Sequence, residues 1–475
     1  MSAPKMWPAQ REAVEFCLER PAAMLDMGMG CGKTRVAIEV MKRREDVRRA
    51  LVVCPKAVVP VWGREIAKYR DGLGYSLLLR SSETVRRFAE DVRTFLDPEA
   101  TPDRSVSLPN VIVVNYDSVW RRPLGDVLYA AAKAGGIQMV VLDESHRAKS
   151  AGSKVSKYLA MLGRAVPYRL CLSGTPMANS PLDVYGQYRF LDRSIFGTNH
   201  ARFLQQYAVL GGPERRFVVG YRNQQDLMGR FRSIAYTCRI EDVADRAKLP
   251  AQLPDAVLPV RLPARDMRTL RQLGKEFVAE CGSGFAVAPN VLVRLLRMQQ
   301  VASGFCQVAE GPGGAESVQD LNSAKADALL DWARDLDPSE RLVVFCVFQH
   351  DLDTLRSLSE VLGRPFFELS GREHRVDAWR ATEGALLAVQ IQAGAEGVDM
   401  TCASRAAYFS LPHSLALYDQ SRARLYRPGQ ERPVQFVHLL AEGTVDESMY
   451  ASLVAKRDVI DAIRAGEFDC GFLRK

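Results

Sequence analysis

Apolar residues along this chain fall into short unbroken runs, with amphipathic stretches between them. Ala22-Ala23-Met24-Leu25, Ala50-Leu51-Val52-Val53, Val111-Ile112-Val113-Val114, Met139-Val140-Val141-Leu142 and Leu170-Cys171-Leu172 form a first set. None of them alternates with polar residues. A strand buried on both faces loses that alternation, so these runs predict parallel strands covered by helices. Helical spacing lies between them, as from Arg35 to Arg44. Strand and helix in alternation predict an α/β fold built on an open parallel sheet.

A second, similar set begins at Leu342 to Val347. It continues with Phe366-Phe367-Glu368-Leu369, Leu386-Leu387-Ala388-Val389, Ala406-Ala407-Tyr408-Phe409 and Val434-Gln435-Phe436-Val437. Two α/β lobes are the economical reading. The stretch from about Ile195 to Leu249 lacks the rhythm, and from Arg202 to Lys248 it carries nine Lys/Arg against five Asp/Glu. It reads as a basic, mainly helical insertion. The expected boundaries are a first lobe over 1–198, the insertion over 199–255 and a second lobe over 256–475. Pro250 to Pro263 holds four prolines around Val257-Leu258-Pro259-Val260, which suits a crossing between lobes. Gly311-Pro312-Gly313-Gly314 reads as an exposed loop.

Composition narrows the class without naming it. The chain has 475 residues, 47% hydrophobic and 25% charged, which excludes a disordered, collagen-like or coiled-coil protein. Sixty-four Lys+Arg against 56 Asp+Glu leave a net charge of +8. That excess permits a polyanionic partner without demanding one. No apolar run approaches the ~18 residues that span a bilayer. The opening Met1-Ser2-Ala3-Pro4-Lys5-Met6-Trp7 lacks a signal-peptide core. The expectation is a cytoplasmic protein with no membrane partner. Ten cysteines are present, and the nearest two, Cys17 and Cys31, stand 14 positions apart. With no Cys-x-x-Cys spacing, no zinc site is expected, and the thiols read as reduced core residues.

Two motifs carry chemistry. Met24-Leu25-Asp26-Met27-Gly28-Met29-Gly30-Cys31-Gly32-Lys33-Thr34 follows one predicted strand and opens a helix. Glycines let successive backbone N–H groups point into one concavity, and a helix N-terminus adds partial positive charge. Gly30, Cys31 and Gly32 would cradle phosphates, Lys33 would reach the β- and γ-phosphates, and the Thr34 hydroxyl would hold magnesium. Met27 stands where the usual pattern begins with glycine. Downstream, Met139-Val140-Val141-Leu142-Asp143-Glu144-Ser145-His146 is a buried strand ending in two carboxylates. Side chains alternate along a strand, so the two can take different roles. Asp143 can reach the magnesium, and Glu144 can orient or deprotonate an attacking water.

Together these motifs resemble those of superfamily-two helicase-like ATPases. Within that group the chain resembles the Snf/Swi, chromatin-remodeller-like translocases of double-stranded DNA, in a compact bacterial or phage form. Gln10, in Pro8-Ala9-Gln10-Arg11, matches the glutamine that reads adenine in that family. Pro55-Lys56 matches a nucleic-acid motif. Ser173-Gly174-Thr175-Pro176 with Asn179 matches the segment coupling hydrolysis to nucleic acid. Gln392 to Asp399, Gln420 to Gln430 and Gly443-Thr444-Val445-Asp446-Glu447 match later motifs. Ala423 and Tyr426 stand where the family pattern has Asp and His. The resemblance implies two RecA-like parallel-sheet lobes and ATP with Mg2+ as cofactors, with Gln10 and Asp399 in the nucleotide site. It implies double-stranded DNA as partner; a protein partner is possible and unnamed.

Arg424 and Arg427 are three apart, so on a helix they share a face. Such arginines stabilise charge on the γ-phosphate in related NTPases. The cradle lies in the first lobe and the arginines in the second, so catalysis is expected to need closure. Lys56, Asn115, Asn179, Ser370, Gly371 and Gln392 are candidate contacts to the nucleic-acid backbone. Arg215, Arg216, Arg222, Arg230 and Arg232 in the insertion could add salt-sensitive contacts. The leading expectation is DNA-stimulated ATP hydrolysis driving movement along duplex DNA. The alternatives are a strand-separating DNA or RNA helicase, and a non-enzymatic nucleic-acid-binding scaffold.

Overall fold

The computed structural model describes residues 5–71, 73–80, 84–97, 108–177, 180–211, 217–243, 249–276, 278–281, 284–287, 291–309, 316–394 and 398–465. The chain divides into two compact units, Met1–Arg246 with Asp458–Lys475, and Ala247–Arg457.

The first unit is built on one parallel sheet. Its strands are β1 (Ala22–Met27), β2 (Arg49–Cys54), β3 (Leu77–Leu79), β4 (Asn110–Asn115), β5 (Met139–Asp143) and β6 (Tyr168–Ser173). A hairpin of β7 (Ala208–Gly211) and β8 (Phe217–Tyr221) follows, and β9 (Ala235–Cys238) returns to the sheet. The order across the seven-stranded sheet is β3-β4-β2-β5-β6-β1-β9. Every residue of β1, β2, β4 and β5 is buried, which is why their sequences lack polar alternation. Helix α1 (Pro8–Leu18) starts on a proline, whose fixed φ suits the first helical turn. Helix α2 (Lys33–Arg43) buries Val36, Ala37, Val40 and Met41 against the sheet, at the spacing of one helical face. Helix α3 (Val59–Tyr69) buries Val59, Trp62 and Ile66 in the same way.

All five early apolar runs became strands of this sheet. Leu77–Leu79 and Ala235–Cys238 were not expected in it. The stretch read as a mainly helical insertion holds the helices His200–Tyr207 and Gln224–Arg232 together with β7, β8 and β9. Its aromatic residues pack on one another: Phe196, Phe203 and Tyr207 lie within 5.9 Å, ring centre to ring centre.

The second unit has its own parallel sheet. Its strands are β10 (Ala256–Val260), β15 (Leu342–Cys346), β16 (Phe366–Leu369), β17 (Leu386–Gln390), β18 (Arg405–Tyr408) and β19 (Gln435–Ala441), in the order β10-β19-β18-β15-β17-β16. Between β10 and β15 comes an antiparallel sheet of β11 (Val278–Cys281), β12 (Gly284–Val287), β13 (Phe305–Ala309) and β14 (Glu316–Asp320). The Val-Leu-Pro-Val segment, expected as a crossing, is strand β10. Pro259 is tolerated there because β10 is an edge strand, where one side of the ladder needs no N–H donor. Gly311-Pro312-Gly313-Gly314 lies outside the described residues. Among the described residues no helix is long and apolar enough to cross a membrane. Eight described cysteines are free thiols, seven of them buried.

Candidate functional site

The segment after β1 has the geometry that its glycines predicted. Gly30 and Gly32 take φ values of 82° and 86°, the left-handed region that costs a side-chain-bearing residue dearly. Gly32 then caps α2, whose first residue is Lys33. A Cβ on Gly32 would lie 2.3 Å from Gln10 Nε2, so glycine is also demanded by close approach. Gln10 is buried, accepts from the Trp7 N–H at 3.0 Å and donates to the Cys31 carbonyl at 3.1 Å. Its amide therefore lies against the phosphate-type loop. Lys33 is buried, and its Nζ donates to the Met27 and Gly28 carbonyls at 2.9 and 3.3 Å. Thr34 is half-buried on the first turn of the helix. Cys31 is buried within the loop.

The loop is braced from β9, which no sequence signal announced. The Gly28 N–H donates to the Cys238 carbonyl at 2.8 Å. Arg239 pairs with the wholly buried Asp26 at 2.8 Å and also donates to the Asp26 carbonyl at 2.9 Å. The end of the inserted stretch thus locks the last turn of β1 before the loop begins.

Register places the second motif beside the first. Leu172 of β6 is level with Leu25 on one side and with Asp143 on the other, so both motifs emerge from the same end of the sheet. Ligands of open α/β sheets bind at that carboxyl end. Asp143 is buried, and Oδ2 accepts from the indole N–H of the wholly buried Trp62 at 2.9 Å. Oδ1 accepts from the Glu144 N–H at 3.0 Å, and the Tyr116 hydroxyl donates to the Asp143 carbonyl at 2.8 Å. Burial, with the Glu144 charge adding to it, pushes the Asp143 carboxyl up to about 7, against the pull of Trp62 and Lys33. Glu144 sits at φ 51°, ψ 52°, a left-handed conformation of order 1–3 kcal/mol uphill for a residue with a side chain. Oε2 is buried with no hydrogen-bond partner among the described residues, 3.4 Å from His146 Nδ1. Burial pushes the His146 imidazole below the ordinary range, favouring its neutral form.

A donor set of one hydroxyl and one carboxylate is hard oxygen, the type that suits Mg2+ when phosphates and water complete its shell. Each Asp143 oxygen has a second lone pair beyond the bond described, so Thr34 and Asp143 fit that ion. Lys33, the positive-φ glycines and the α2 N-terminus fit a phosphate chain.

The third segment closes on the other two. The position of Gly174 is crowded: a Cβ there would lie 3.4–3.6 Å from Met29, the Met27 carbonyl and Lys33 Nζ. Ser173 Oγ lies 3.3 Å from His146 Nδ1 and accepts from the Thr175 N–H at 3.2 Å. Ser145 Oγ donates to Gln187 Oε1 at 2.7 Å, and Gln187 Nε2 donates to the Pro176 carbonyl at 2.7 Å. Trp62, Tyr116 and Gln187 were missed by the sequence reading, because nothing in their spacing links them to the motifs they touch.

In the second unit the expected helical face for the arginines is corrected. The helix Leu415–Arg422 stops before Arg424 and Arg427, which lie in successive turns, both half-buried. Pro428 disfavours helical geometry at residue 427, and Gly429 takes φ 100°. The buried arginine of this motif is Arg422, which grips Asp255 through two bonds of 2.7 and 2.8 Å and lies 4.0 Å above the Phe436 ring. The Arg424 carbonyl accepts from the Met400 N–H at 3.0 Å. Arg427 Nε is buried with no hydrogen-bond partner among the described residues. Asp399 is half-buried; Oδ1 accepts from the Thr401 N–H at 2.9 Å, and its carbonyl accepts from Arg380 at 3.0 Å.

Candidate backbone contacts fall in different settings. Lys56 is exposed on the short helix after Pro55, and Asn115 is buried at the end of β4. Ser370 Oγ accepts from the Arg372 N–H at 2.8 Å, Gly371 is exposed with open space around it, and Gln392 is exposed. Asn179, Arg215 and Arg216 lie outside the described residues, as do residues 395–397 of the Gln392–Asp399 motif. Arg230 is engaged internally with Asp226 at 3.0 Å and with the Ile195 carbonyl at 2.9 Å, and Arg222 with the Gln205 carbonyl. Arg232 is exposed.

Residues 9–255 match the SNF2-related domain, and residues 324–429 match the helicase conserved C-terminal domain. The chain is similar to the chicken DNA repair and recombination protein RAD54B, at 22% identity over 96% of this chain and 54% of that protein. It is 23% identical to a Caenorhabditis elegans homologue of the SWI/SNF-related matrix-associated actin-dependent regulator of chromatin subfamily A-like protein 1, over 97% of this chain and 62% of that one. It is 25% identical to the mouse DNA annealing helicase and endonuclease ZRANB3, over 96% of this chain and 40% of that one. The chain thus spans about half the length of the curated relatives it matches. The Sulfolobus solfataricus SWI2/SNF2 ATPase core in complex with dsDNA aligns over 98% of this chain and 94% of its own, at 20% identity and a TM-score of 0.42. With over half its length matched by one family model and the remainder carrying the partner domain, the chain belongs to the SNF2-related family of helicase-like ATPases.

Proposed function

We propose that this protein hydrolyses ATP in response to DNA and uses the turnover to move along the double helix. The observation that carries the reading is the register of β1, β6 and β5. It brings a glycine loop with a buried lysine level with the buried Asp143 and the half-buried Glu144 at one end of a parallel sheet. In this reading Gln10 recognises the adenine, while Gly30, Cys31 and Gly32 present N–H groups to the phosphates. Lys33 leaves the carbonyls of Met27 and Gly28 for the β- and γ-phosphate oxygens. Thr34 and Asp143 hold magnesium, which when bound neutralises charge on the phosphates. Glu144 orients the attacking water and takes its proton. Its freedom from hydrogen bonds at Oε2 among the described residues supports that role. Arg424 and Arg427 supply positive charge as the γ-phosphoryl group transfers, and Asp399 assists from the same unit. Lys56, Asn115, Asn179, Ser370, Gly371 and Gln392 hold the DNA backbone, without reading bases.

The named relatives act on DNA, in repair, recombination and annealing, which supports DNA over RNA as the polyanion. The test is ATP turnover against duplex DNA, single-stranded DNA and RNA at one salt concentration. Duplex DNA is expected to stimulate most, and Lys33→Ala to abolish the stimulated rate. Displacement of a third strand from triplex DNA, without unwinding of a forked duplex, is the expected motor activity. Unwinding without triplex displacement would instead identify a strand-separating helicase.

A further inference from the structure

Glu144 and the Ser173–Pro176 segment are joined by a buried strut that neither motif contains. Gln187 is wholly buried on the helix Val184–Leu191. Its side-chain amide makes three hydrogen bonds. Oε1 accepts from Ser145 Oγ at 2.7 Å, the residue directly after Glu144. Nε2 donates to the Pro176 carbonyl at 2.7 Å and to the Asp183 carbonyl at 3.1 Å. One planar amide thus ties the turn that carries Glu144 to the turn that lies against the phosphate loop. The neighbouring residue shows how tightly the helix is docked. A Cβ on Gly186 would fall 2.2 Å from the Ala148 carbonyl oxygen and 2.7 Å from that of Lys149. The helix backbone therefore sits flush against residues 148 and 149. Glu144, held in the left-handed region, needs such bracing. A second, weaker link runs parallel to it from His146 Nδ1 to Ser173 Oγ, at 3.3 Å.

We infer that Gln187 is a positioning residue for ATP hydrolysis, acting through Ser145 to aim Glu144 and coupling that aim to the placement of the Ser173–Pro176 turn. It touches neither nucleotide nor water. A well-satisfied buried polar network specifies one geometry, and losing one member leaves its partners unpaired. Because the same amide serves both turns, a shift of one is transmitted to the other. This inference rests on the reading of Glu144 as the water-orienting carboxylate.

Gln187→Leu keeps the size of the side chain and removes all three bonds. Ser145→Ala removes only the bond on the Glu144 side, and is the milder variant should the first fold poorly. Three quantities are read on the full chain: hydrogen–deuterium exchange over residues 144–149 and 173–177, binding of a fluorescent ADP derivative, and ATP turnover with and without duplex DNA. Gln187→Leu is expected to speed exchange in both segments and to lower kcat at least tenfold, with ADP affinity held within twofold. The double variant is expected to turn over no more slowly than Gln187→Leu alone. Unchanged exchange over 144–149 in Gln187→Leu overturns the strut, as does a fall in kcat matched by an equal fall in ADP affinity. If the unaltered chain turns over no ATP, the functional reading fails, while the exchange data still decide whether the two turns are coupled.

Discussion

The glycine-loop region of the first unit and the arginine segment of the second hold their candidate residues by opposite means. Around the loop Lys33, Asp143 and Gln10 are each fixed by direct bonds. Lys33 is held by two carbonyls, Asp143 by an indole and a backbone amide, and Gln10 by the Trp7 N–H and the Cys31 carbonyl. In the arginine segment the best-anchored side chain is Arg422, paired with Asp255, while Arg427 Nε is buried with no hydrogen-bond partner among the described residues. The difference teaches that a strong partner inside the fold marks an architectural arginine. Within the same segment Arg427 keeps its Nε donor in reserve.

The largest effect expected from that contrast is on turnover. Arg427→Ala should cut kcat by roughly 10³-fold, the low end of what such arginines contribute in related NTPases, with little change in melting temperature. Arg422→Ala should do the reverse in kind. It leaves Asp255 half-starved of its partner, so the second unit melts earlier. If both variants lower stability equally and kcat equally, the division between architectural and reserved arginines is wrong.

A second effect lies wholly on the architectural side. Lys325 and Asp446 form an ion pair of 2.6 Å in which both side chains are 1% exposed, and Lys325 also donates to the Phe409 carbonyl at 3.0 Å. Breaking a buried pair by removing one partner typically costs about 3–5 kcal/mol, because the remaining charge is stranded. Lys325→Met should therefore destabilise the second unit by that amount. The first unit should keep its own transition, resolved by calorimetry or by protease sensitivity of each unit. Loss of both transitions together would show that the units do not melt separately.

This pair also shows what the sequence could and could not reveal. The run Gly443-Thr444-Val445-Asp446-Glu447 was recognisable by resemblance, yet no pattern connects it to a lysine more than a hundred positions earlier. Contacts of that kind are set by topology, since β19 delivers Asp446 to the helix Ala324–Arg334. The same holds for Trp62 beside Asp143, Gln187 beside Ser145 and Arg239 beside Asp26. Most of the ten apolar runs, by contrast, were legible because strands buried on both faces have no other composition open to them; the short edge strand Phe366–Leu369 was legible by its apolar residues alone. Short or half-exposed strands were not. Leu77–Leu79 is only half-buried, and Ala235–Cys238 and Ala256–Val260 lie at sheet edges, where polar residues and proline are permitted. The loop glycines were legible because their φ values admit little else. The arginines were legible by type and not by placement, because Pro428 ends the helical geometry that their spacing suggested.

Acid should separate the histidines of the two regions in a graded way. His438 is wholly buried on β19, and burial pushes its imidazole down to about 4. A neutral ring is consistent with its partners, the Tyr418 hydroxyl at 2.8 Å and the Ala256 carbonyl at 3.4 Å. Above pH ~6.5 the ring is neutral in both folded and unfolded chains, and it adds no pH dependence. Between ~6.5 and ~4 the unfolded chain takes up a proton that the folded chain refuses, so stability falls with pH, by about 3 kcal/mol in all. Below ~4 the effect levels off. Urea titrations of the second unit from pH 7 to 4 should show this slope, and His438→Gln should flatten it. A slope untouched by the substitution would assign the acid sensitivity to another group.

The smallest effect expected bears most directly on the loop region. If Asp143 is held ready for a metal by Trp62, Trp62→Phe keeps the ring packed in the core and removes only the N–H donated to Oδ2. A hydrogen bond to a charged acceptor contributes about 1.5–3 kcal/mol, so divalent-ion affinity in the presence of ADP should fall roughly tenfold or more. Manganese titration followed by electron paramagnetic resonance reads this without turnover. Tyr116→Phe serves as the control. Its hydroxyl donates to the Asp143 main-chain carbonyl and not to the carboxylate, so it should cost about 1 kcal/mol of stability and leave manganese affinity within twofold. Equal losses from the two variants would mean that the strand as a whole, and not the orientation of one carboxylate, prepares the site. The loop region would then be held no more specifically than the arginine segment.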